Sequence, residues 1–351
     1  MELKQRIDAF VQLGKVLGQC AGSKDWSGYT HGVSQSDFDS FSQLLNQVYL
    51  QNGWFTEENV RKACLEWSRA LSKENLEQWT SAYSDLNGNE KLKTIALIMA
   101  GNIPMVGFHD LVCVLISGNK ALIKMSSEDD RLLPWILTYL VVHIEPEFAS
   151  RIKFASGKLE DFSAVIATGS DNTMRYFEKY FGTYPHIFRG NRTSVAVLDG
   201  SETEEELNAL GHDIFDYFGL GCRNVSKLFI PKDFDLDRFF GAIYSFHPIV
   251  QHKKYANNYD YNKAIMMMNQ DDLIENGFLL VKEDDRLHSP LGALYVERYT
   301  DLNKVTEKLK SDENEIQCVV SKSNIPFGKS QSPELWDYAD HVDTLKFLLN
   351  C

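Results

Sequence analysis

The sequence predicts an α/β protein in which a parallel sheet is covered by helices on both faces. From Thr94 onwards, short apolar runs of strand length alternate with stretches of helical periodicity. The runs show no polar face, as expected for strands that are buried on both sides. This alternation is typical of α/β folds, and the 351 residues are enough for two domains.

The segment before the alternation, about residues 1 to 90, is predicted to be mostly helical. Its first stretch, MELKQRIDAFVQLGKVLG, places apolar side chains at Leu3, Ile7, Phe10 and Val11, which is the spacing of an amphipathic helix. It lacks the continuous apolar stretch of a signal peptide. Further on, TEENVRKACLEWSRAL begins with Thr56 as a capping residue and two glutamates that suit the first turn of a helix.

The first α/β domain is expected to end near residue 200. Its strands are the runs IALIM, ALIKM, RIKFA, AVIAT and SVAVL. The stretches between them that we predict to be helices are HDLVCVLIS, RLLPWILTYLVVHI and DNTMRYFEKYF. We therefore assign residues 1–200 to an N-terminal helical region and a first α/β domain.

A second α/β domain is expected over residues 201–330, and residues 331–351 are expected to return to the core. The stretch SETEEELNALGHDIFDYFG predicts a helix with Ser201 or Thr203 as its cap, ended by Gly219 and Gly221. The strands that follow are VSKLFIP, GFLLV, GALYVERY and IQCVV.

Composition excludes several classes of protein. The net charge of −13 argues against a binder of nucleic acid, which needs a basic face. The six cysteines form no CxxC pair and no Cys/His cluster, so we expect neither a metal site nor a disulfide framework. The most apolar stretch, TIALIMAGNIPMVGFHDLVCVLI, is interrupted by Asn102, His109 and Asp110, which argues against a membrane span. We expect a protein of the reducing cytoplasm.

Cys222 is the first candidate for chemistry. In FGLGCRNVSKLFIP, glycines precede it and Arg223, Asn224 and Ser226 follow it. Neighbouring cations and backbone N–H groups lower the pKa of a thiol and make it a nucleophile. Most free cysteines are instead buried and inert. The local sequence leaves both interpretations of Cys222 open.

Three further stretches could belong to a site. Asn102 in MAGNIPMVG could donate a hydrogen bond to a developing oxyanion, or could simply form a turn with Pro104. Lys124 in IKMSSEDD follows a parallel strand, where nucleotides bind, but a solvated lysine is common there too. The stretch TGS in VIATGSDNTM opens a helix whose N–H groups suit a pyrophosphate, although the full GxGxxG pattern is missing.

Taken together, these motifs resemble the aldehyde dehydrogenase superfamily. The stretches GNIP, GN…IKMSS, TGS, FRGNR and GLGC correspond in order to the superfamily's WNFP, GN-x-x-x-x-K, FTGS, ELGGK and GQ-x-C. The separations of 22 residues from Asn102 to Lys124 and 35 from Ile187 to Cys222 are close to its usual ones. The resemblance covers about residues 95 to 300. The short chain and NGWFTEENVRKAC are most similar to the LuxC-type acyl-CoA reductases.

This resemblance implies a Rossmann-type cofactor domain interlocked with an α/β catalytic domain. It implies that Cys222 is the nucleophile, and that Asn102 and the backbone N–H of Cys222 form an oxyanion hole. Lys124 would hold the adenosine ribose. The cofactor-binding residues that it implies are Lys124, Ser126, Ser127, Thr168, Gly169, Ser170 and Gly190.

One departure from the superfamily bears on the reaction. Alignment of ELGGK on FRGNR puts Ile187 in the place of the general-base glutamate. An isoleucine cannot activate water to hydrolyse a thioacyl-enzyme, so the site suits acyl thioesters. We expect NADPH-dependent reduction of a fatty acyl-CoA or acyl-carrier-protein thioester to the aldehyde. Reduction of acyl phosphates, oxidation of aldehydes and a non-catalytic binding subunit are the alternatives. An acyltransferase partner and a homo-oligomer stay open.

Other departures concern the cofactor. Ser127 stands where many NAD-using members have a glutamate for the ribose hydroxyls, which favours NADP over NAD, although Glu128 is adjacent. Arg189 or Arg192 could add a cation for the 2′-phosphate. In HSPLGAL, Ser289 replaces the glutamate that usually holds the nicotinamide ribose.

Overall fold

The computed structural model describes residues 1–87 and 92–351. It divides into two compact units, one formed by residues 1–190 and 334–351 and the other by residues 191–333. The sequence analysis places the division near residue 200. The structure differs because the SVAVL strand hydrogen-bonds to strands of the second unit, so it does not belong to the first sheet.

The first unit begins with helices. These are α1 (Leu3–Gly22), α2 (Gln35–Gln51), α3 (Glu57–Ala70) and α4 (Lys73–Ser81). Helix α1 buries Ile7 and Phe10, as its apolar spacing predicts. The hydroxyl of Thr56 accepts a hydrogen bond from the N–H of Asn59 at 3.3 Å, which confirms Thr56 as the cap of α3.

A parallel sheet of five strands follows, in the order β3-β2-β1-β4-β5. Its strands are β1 (Thr94–Ile98), β2 (Lys120–Lys124), β3 (Ile152–Phe154), β4 (Ala164–Thr168) and β5 (His186–Arg189). The helices between them are α5 (Phe108–Ile116), α6 (Leu132–Tyr139) and α7 (Asp171–Phe181). The predicted alternation of strands and helices is confirmed here, apart from the reassigned SVAVL strand.

The second unit holds a sheet of six strands in the order β11-β6-β7-β10-β9-β8. Its strands are β6 (Thr193–Val197), β7 (Val225–Pro231), β8 (Ile274–Glu275), β9 (Leu280–Glu283), β10 (Ala293–Tyr299) and β11 (Ile316–Val320). Its helices are α8 (Glu204–Phe215), α9 (Leu236–Ala242), α10 (Lys253–Met268) and α11 (Leu302–Ser311). Only β8, at one edge, pairs antiparallel among these strands.

Helix α8 starts where the sequence predicts. The hydroxyl of Thr203 accepts from the N–H of Glu206 at 3.2 Å, and the carboxylate of Glu206 accepts from the N–H of Thr203 at 2.8 Å. Buried Leu207 and Leu210 of α8 belong to the same hydrophobic cluster as Leu228 of β7. The loop between α8 and β7 is therefore anchored at both ends.

The C-terminal segment, residues 334–351, belongs to the first unit and contains helix α12 (Thr344–Asn350). Buried Arg189 at the end of β5 donates to the carbonyl of Ala339 at 2.7 Å and to the hydroxyl of Thr344 at 2.9 Å. It also pairs with buried Asp110 of α5, at 3.0 Å from Nε and 2.7 Å from Nη2. One guanidinium thus ties α5, β5 and the C-terminal segment together.

Within residues 1–87 and 92–351, no helix has both the length and the apolar character needed to cross a membrane. The same residues contain no group of three or more His, Cys, Asp or Glu side chains placed to hold a metal ion.

Candidate active site

The carboxyl ends of the five parallel strands of the first unit meet at one edge of the sheet. Strand β1 lies between β2 and β4, so the strand order reverses beside β1. Open α/β sheets bind ligands at such a switch point, outside the carboxyl ends of the strands. The predicted site residues at or just after these strand ends are Asn102, Lys124, Ser126, Ser127, Thr168, Gly169, Ser170 and Gly190.

The loop after β1 holds Asn102 at this edge. The amide of buried Asn52 donates to the carbonyl of Gly101 at 3.1 Å. A Cβ at Gly101 would lie 2.7 Å from the hydroxyl oxygen of Ser126, so the loops after β1 and β2 pack closely. Met105 in the same loop has a φ of 59° and is buried. The exposed side chain of Asn102 therefore projects from a well-supported backbone.

The loop after β2 begins with the exposed side chain of Lys124. The hydroxyl of Ser126 accepts from the N–H of Glu128 at 3.2 Å, which fixes the turn. The amide of Gln51 donates to the carbonyl of Ser127 at 2.8 Å, while the Ser127 side chain stays exposed. Lys124 and Ser127 can therefore both reach a ligand in solvent.

Asp129 is a buried carboxyl of the same loop that the sequence analysis does not single out. Burial raises the pKa of Asp129 to about 6, although backbone N–H groups act in the opposite direction. Its Oδ1 is buried without a hydrogen-bond partner among the described residues. In the run SSEDD it cannot be told from its exposed neighbours, because burial depends on how the loop folds.

The loop between β4 and α7 packs tightly at Gly169. The N–H of Gly169 donates to the carbonyl of Arg189 at 3.1 Å, and a Cβ there would lie 3.0 Å from the Cβ of Thr173. Ser170 precedes α7, yet its hydroxyl does not cap the helix and lies 3.0 Å from the hydroxyl of Thr173. Helix α7 thus begins at the switch-point edge, and no side chain caps its first N–H groups. These N–H groups suit an anion.

Arg189 corrects one expectation for the cofactor. Its guanidinium is 5% exposed and fully engaged with Asp110, Ala339 and Thr344, so it is not available for a ribose 2′-phosphate. Arg192 lies in the second unit and donates to the carbonyl of Glu313 at 3.3 Å. Neither arginine has the environment of a free phosphate ligand, because backbone and carboxylate acceptors already bind them.

Cys222 lies in the second unit, in the loop that joins α8 to β7, and is half-buried. Just before it, Tyr217, Phe218 and Gly219 have φ values of 53°, 60° and 77°. A left-handed conformation is uncommon for a non-glycine residue, and two such residues in a row indicate strain. Strain of this kind persists only where the surroundings hold the backbone, and it clusters at functional sites.

Cys222 differs from most of the other cysteines in its exposure. Of the six, only Cys222 and Cys351 are partly exposed. Burial raises the pKa of Cys20 and of Cys64 to about 12, and raises that of Cys113 well above its ordinary value. Cys113 and Cys318 lie within apolar runs of the sequence and are buried.

Two side chains to which the sequence analysis assigns no role hold the cysteine loop. The buried amide of Asn224 accepts from the N–H of Gly221 at 2.8 Å and donates to the carbonyl of Asp216 at 2.9 Å. The buried hydroxyl of Ser194 donates to the carbonyl of Cys222 at 2.9 Å. The sequence offers only a weak signal for either, since Asn224 stands two residues from Cys222 and Ser194 lies within an apolar strand.

Two of the positions where the sequence departs from the superfamily's pattern, Ile187 and Ser289, have no carboxylate. Ile187 is buried within β5 and pairs in register with Ile166 of β4. Its neighbours His186 and Phe188 carry no carboxylate either. The hydroxyl of Ser289 donates to the carbonyl of Ala293 at 2.7 Å, which stabilises the turn before β10.

The segment with these motifs matches a known family. A family model described as acyl-CoA reductase (LuxC) matches residues 65–238, which include Asn102, Lys124 and Cys222. A long-chain acyl-protein thioester reductase of Vibrio harveyi is 22% identical over 151 residues, 39% of this chain. Residues 65–238, just under half of this chain, are therefore similar to the LuxC acyl-CoA reductases. The aligned part spans 31% of the Vibrio harveyi protein.

Solved structures show the fold. An indole-3-acetaldehyde dehydrogenase of P. syringae, in complex with NAD+, matches 91% of this chain and 72% of its own, with a TM-score of 0.63 and 12% identity. Aldehyde dehydrogenase 21 of Physcomitrella patens matches 92% of this chain and 74% of its own, with a TM-score of 0.65 and 12% identity. The predicted fold class, a parallel-sheet unit plus a second α/β unit like that of the aldehyde dehydrogenases, is confirmed.

Proposed function

We propose that this LuxC-like protein reduces an acyl thioester to the aldehyde, with NADPH as the reductant and Cys222 as the carrier of the acyl group. One observation carries the proposal: a partly exposed thiol stands on a strained, anchored loop, within the segment that matches the acyl-CoA reductase family. Thiols that are buried are poor nucleophiles at neutral pH, and burial raises the pKa of partly exposed Cys351 as well. Cys222 is therefore the best candidate.

The residues at the switch-point edge fit a nicotinamide dinucleotide. Gly169 and the uncapped start of α7 suit the pyrophosphate, and exposed Lys124 and Ser127 suit the adenosine ribose. A Cβ at Gly169 would lie 3.0 Å from the Cβ of Thr173, so the end of β4 and the start of α7 approach each other closely there. When bound, NADPH supplies the hydride for the reduction.

The first half of the reaction loads the acyl group onto the enzyme. The Cys222 thiolate attacks the thioester carbonyl carbon, a sulfur–carbon bond forms, and the carbonyl electron pair moves onto oxygen. Asn102 and the N–H of Cys222 donate to this oxyanion, and one such donor typically contributes about 3–4 kcal/mol to the transition state. The oxyanion then collapses, the original carbon–sulfur bond breaks, and the departing thiolate takes up a proton.

The second half releases the aldehyde. The carbonyl carbon of the thioacyl-enzyme gains a hydride, and Asn102 again stabilises the charge that develops on oxygen. Collapse of the resulting thiohemiacetal breaks the bond to Cys222, restores its thiolate and frees the aldehyde. Each turnover consumes one thioester, one hydride and one proton, and yields one aldehyde and one thiol.

The strand position of Ile187 explains why the acyl group goes to hydride and not to water. Hydrolysis of a thioacyl-enzyme needs a base that activates water. The aligned position holds a buried isoleucine beside a phenylalanine. We therefore infer that the product is an aldehyde and not a free acid.

Ser127 supports NADPH over NADH. A carboxylate at this position would repel a 2′-phosphate, whereas the exposed hydroxyl of Ser127 leaves room for one. Glu128 is also exposed, and its backbone N–H is held by Ser126. The acyl donor is coenzyme A or an acyl-carrier protein, with an acyltransferase as a further candidate source of acyl groups.

A substrate panel tests this function. The purified protein is incubated with NADPH and acyl-CoA of increasing chain length, acyl-carrier protein, or acyl phosphate, and separately with aldehydes and NADP+. We expect NADPH oxidation with an acyl thioester and one aldehyde formed per NADPH. Activity with acyl phosphate alone, or a free acid as product, would favour the other superfamily reactions. No turnover with any substrate would indicate a binding subunit.

A further inference from the structure

The loop that carries Cys222 is held on both sides by buried polar side chains. Asn224 is 3% exposed and Ser194 is fully buried. Neither residue belongs to the motifs that point to the superfamily, and both use their side chains on the backbone around Cys222. Their hydrogen bonds determine where the thiol of Cys222 lies, and their role in catalysis rests on the proposed function of Cys222.

Asn224 joins the end of α8 to the residue before the cysteine. Its side-chain amide donates to the carbonyls of Asp213 at 3.1 Å and Asp216 at 2.9 Å, which satisfies acceptors that a helix end leaves without partners. Its side-chain oxygen accepts from the N–H of Gly221 at 2.8 Å, and its own N–H donates to the carbonyl of Gly221 at 3.0 Å. A single side chain therefore fixes the separation between α8 and the turn at Gly221.

Ser194 of β6 fixes the other side of the turn. Its hydroxyl donates to the carbonyl of Cys222 at 2.9 Å, and its N–H donates to the carbonyl of Asn224 at 3.3 Å. Cys222 is thus bracketed by bonds from a central strand of the sheet and from Asn224.

The strained backbone before Cys222 explains why these hydrogen bonds are needed. Tyr217 and Phe218 both have left-handed backbone angles, which are unfavourable for residues other than glycine. The bond from Asn224 to the carbonyl of Asp216 lies immediately before them. Without it, the segment can relax towards ordinary backbone angles, and the turn at Cys222 moves with it.

We propose that Asn224 is a positioning residue for the thiol of Cys222, with Ser194 as the second anchor. Asn224 does not touch the substrate in this proposal; it holds the backbone so that the sulfur meets the acyl carbonyl at a reactive angle. Misplacement of a reacting group by an ångström can slow a reaction by about 100-fold. Relaxation of the loop therefore slows acyl transfer more than it slows reactions that need no orientation.

Three variants and a control test the proposal. Asn224→Ala removes the acceptor for Gly221 and the donors to the end of α8, and Asn224→Asp keeps the acceptor for Gly221 but loses the amide donors. Ser194→Ala removes the bond to the carbonyl of Cys222 together with the contact of the hydroxyl with the thiol of Cys318 at 3.0 Å. It is the variant to use if changes at position 224 prevent folding. The matched control is Asn208→Ala, because Asn208 of α8 makes a similar bond, to the carbonyl of Ala242 at 2.8 Å.

Two measurements are made on each variant below its unfolding temperature. Amide hydrogen exchange of residues 216–224 reports whether the loop is held, and single-turnover acylation of Cys222 by acyl-CoA reports whether the thiol is placed. We expect Asn224→Ala to raise exchange in the loop about tenfold and to slow acylation about 10- to 100-fold. The KM for NADPH and the rate of iodoacetamide labelling at Cys222 should stay within about twofold, since neither depends on orientation towards a bound acyl group.

The Asn224→Asp variant adds a pH signature. A carboxyl among carbonyl oxygens has a raised pKa, and only its protonated form can donate to them. The acylation rate of this variant relative to the wild type should therefore recover as pH falls, whereas the ratio for Asn224→Ala should stay flat. If Asn224 contributed only to overall stability, the relative acylation rates of the two variants would show the same dependence on pH.

The outcomes separate this inference from the proposed function. Unchanged exchange in the loop of Asn224→Ala, or a loss of acylation no larger than in Asn208→Ala, overturns the positioning role. If the wild type accepts no acyl group from any thioester, the proposed function is wrong, and the exchange measurement alone then decides whether Asn224 holds the cysteine loop.

Discussion

The buried pair between Asp110 and Arg189 offers a sharp prediction because its geometry is complete. The two side chains are 10% and 6% exposed, and they form two charge-assisted bonds at 2.7 and 3.0 Å. The change Asp110→Asn keeps the shape of the side chain but leaves the guanidinium without its main counter-charge. Removal of one partner of a buried pair typically destabilises a protein by about 3–5 kcal/mol.

The structure places the expected loss at the lower end of that range. Arg189 retains a carboxylate of Asp340 at 3.6 Å and its bonds to Ala339 and Thr344. We therefore expect a loss of about 3 kcal/mol in the free energy of unfolding. For a unit of roughly 200 residues this corresponds to a fall of about 6–12 °C in Tm.

The pH dependence of this effect has a definite sign. Burial acts to raise the pKa of Asp110, but the charge and hydrogen bonds of Arg189 outweigh it and hold the pKa below its ordinary value. A lowered folded-state pKa means that the stabilisation is complete above the carboxyl's unfolded pKa and is lost as the pH falls through the folded value. The Tm difference between the wild type and Asp110→Asn should therefore shrink on acidification.

Thermal unfolding followed by circular dichroism at neutral and at acidic pH measures both effects. The control is Glu77→Gln, which breaks a surface pair with Lys73 at 3.7 Å and should change the free energy of unfolding by less than about 0.5 kcal/mol. A Tm loss in Asp110→Asn as small as in this control, or a difference that does not change with pH, would refute the reasoning.

Three further predictions concern the proposed chemistry. Asn102→Ala removes an oxyanion donor, so steady-state kinetics should show kcat lowered by about 100- to 1000-fold and an unchanged KM for NADPH. A kcat equal to that of the wild type would contradict this role. Ser127→Glu should shift the ratio of kcat/KM from NADPH towards NADH by at least about tenfold, and an unchanged ratio would mean that Ser127 does not face the 2′-position. Gly169→Ala should weaken NADPH binding in titration calorimetry and lower stability by about 1–3 kcal/mol, because its Cβ would lie 3.0 Å from Thr173. Unchanged affinity would place the pyrophosphate elsewhere.

The sequence predicts local structure and strand polarity well. Thr56 and Thr203 cap the helices that their positions indicate, because capping depends on residues within one turn. Asn102, Lys124 and Ser170 share one edge of the sheet because each follows a parallel strand, and that is visible from the alternation of strands and helices.

Long-range pairing is what the sequence does not show. Arg189 lies in a motif that suggests a cofactor, yet its partner Asp110 is 79 residues away, and no periodicity links the two. Strand β6 follows β5 closely in the chain but joins a different sheet, since its hydrogen bonds go to β7 and β11. The anchoring of Cys222 by Ser194 depends on that same assignment.

The proposal that Cys222 carries the acyl group is tested most directly by the mass of the intact protein after incubation with acyl-CoA in the absence of NADPH. The account predicts a gain of one acyl group in the wild type and none in Cys222→Ala, with the group released as aldehyde when NADPH is added. No adduct in the wild type, or an adduct that persists in Cys222→Ala, would contradict it.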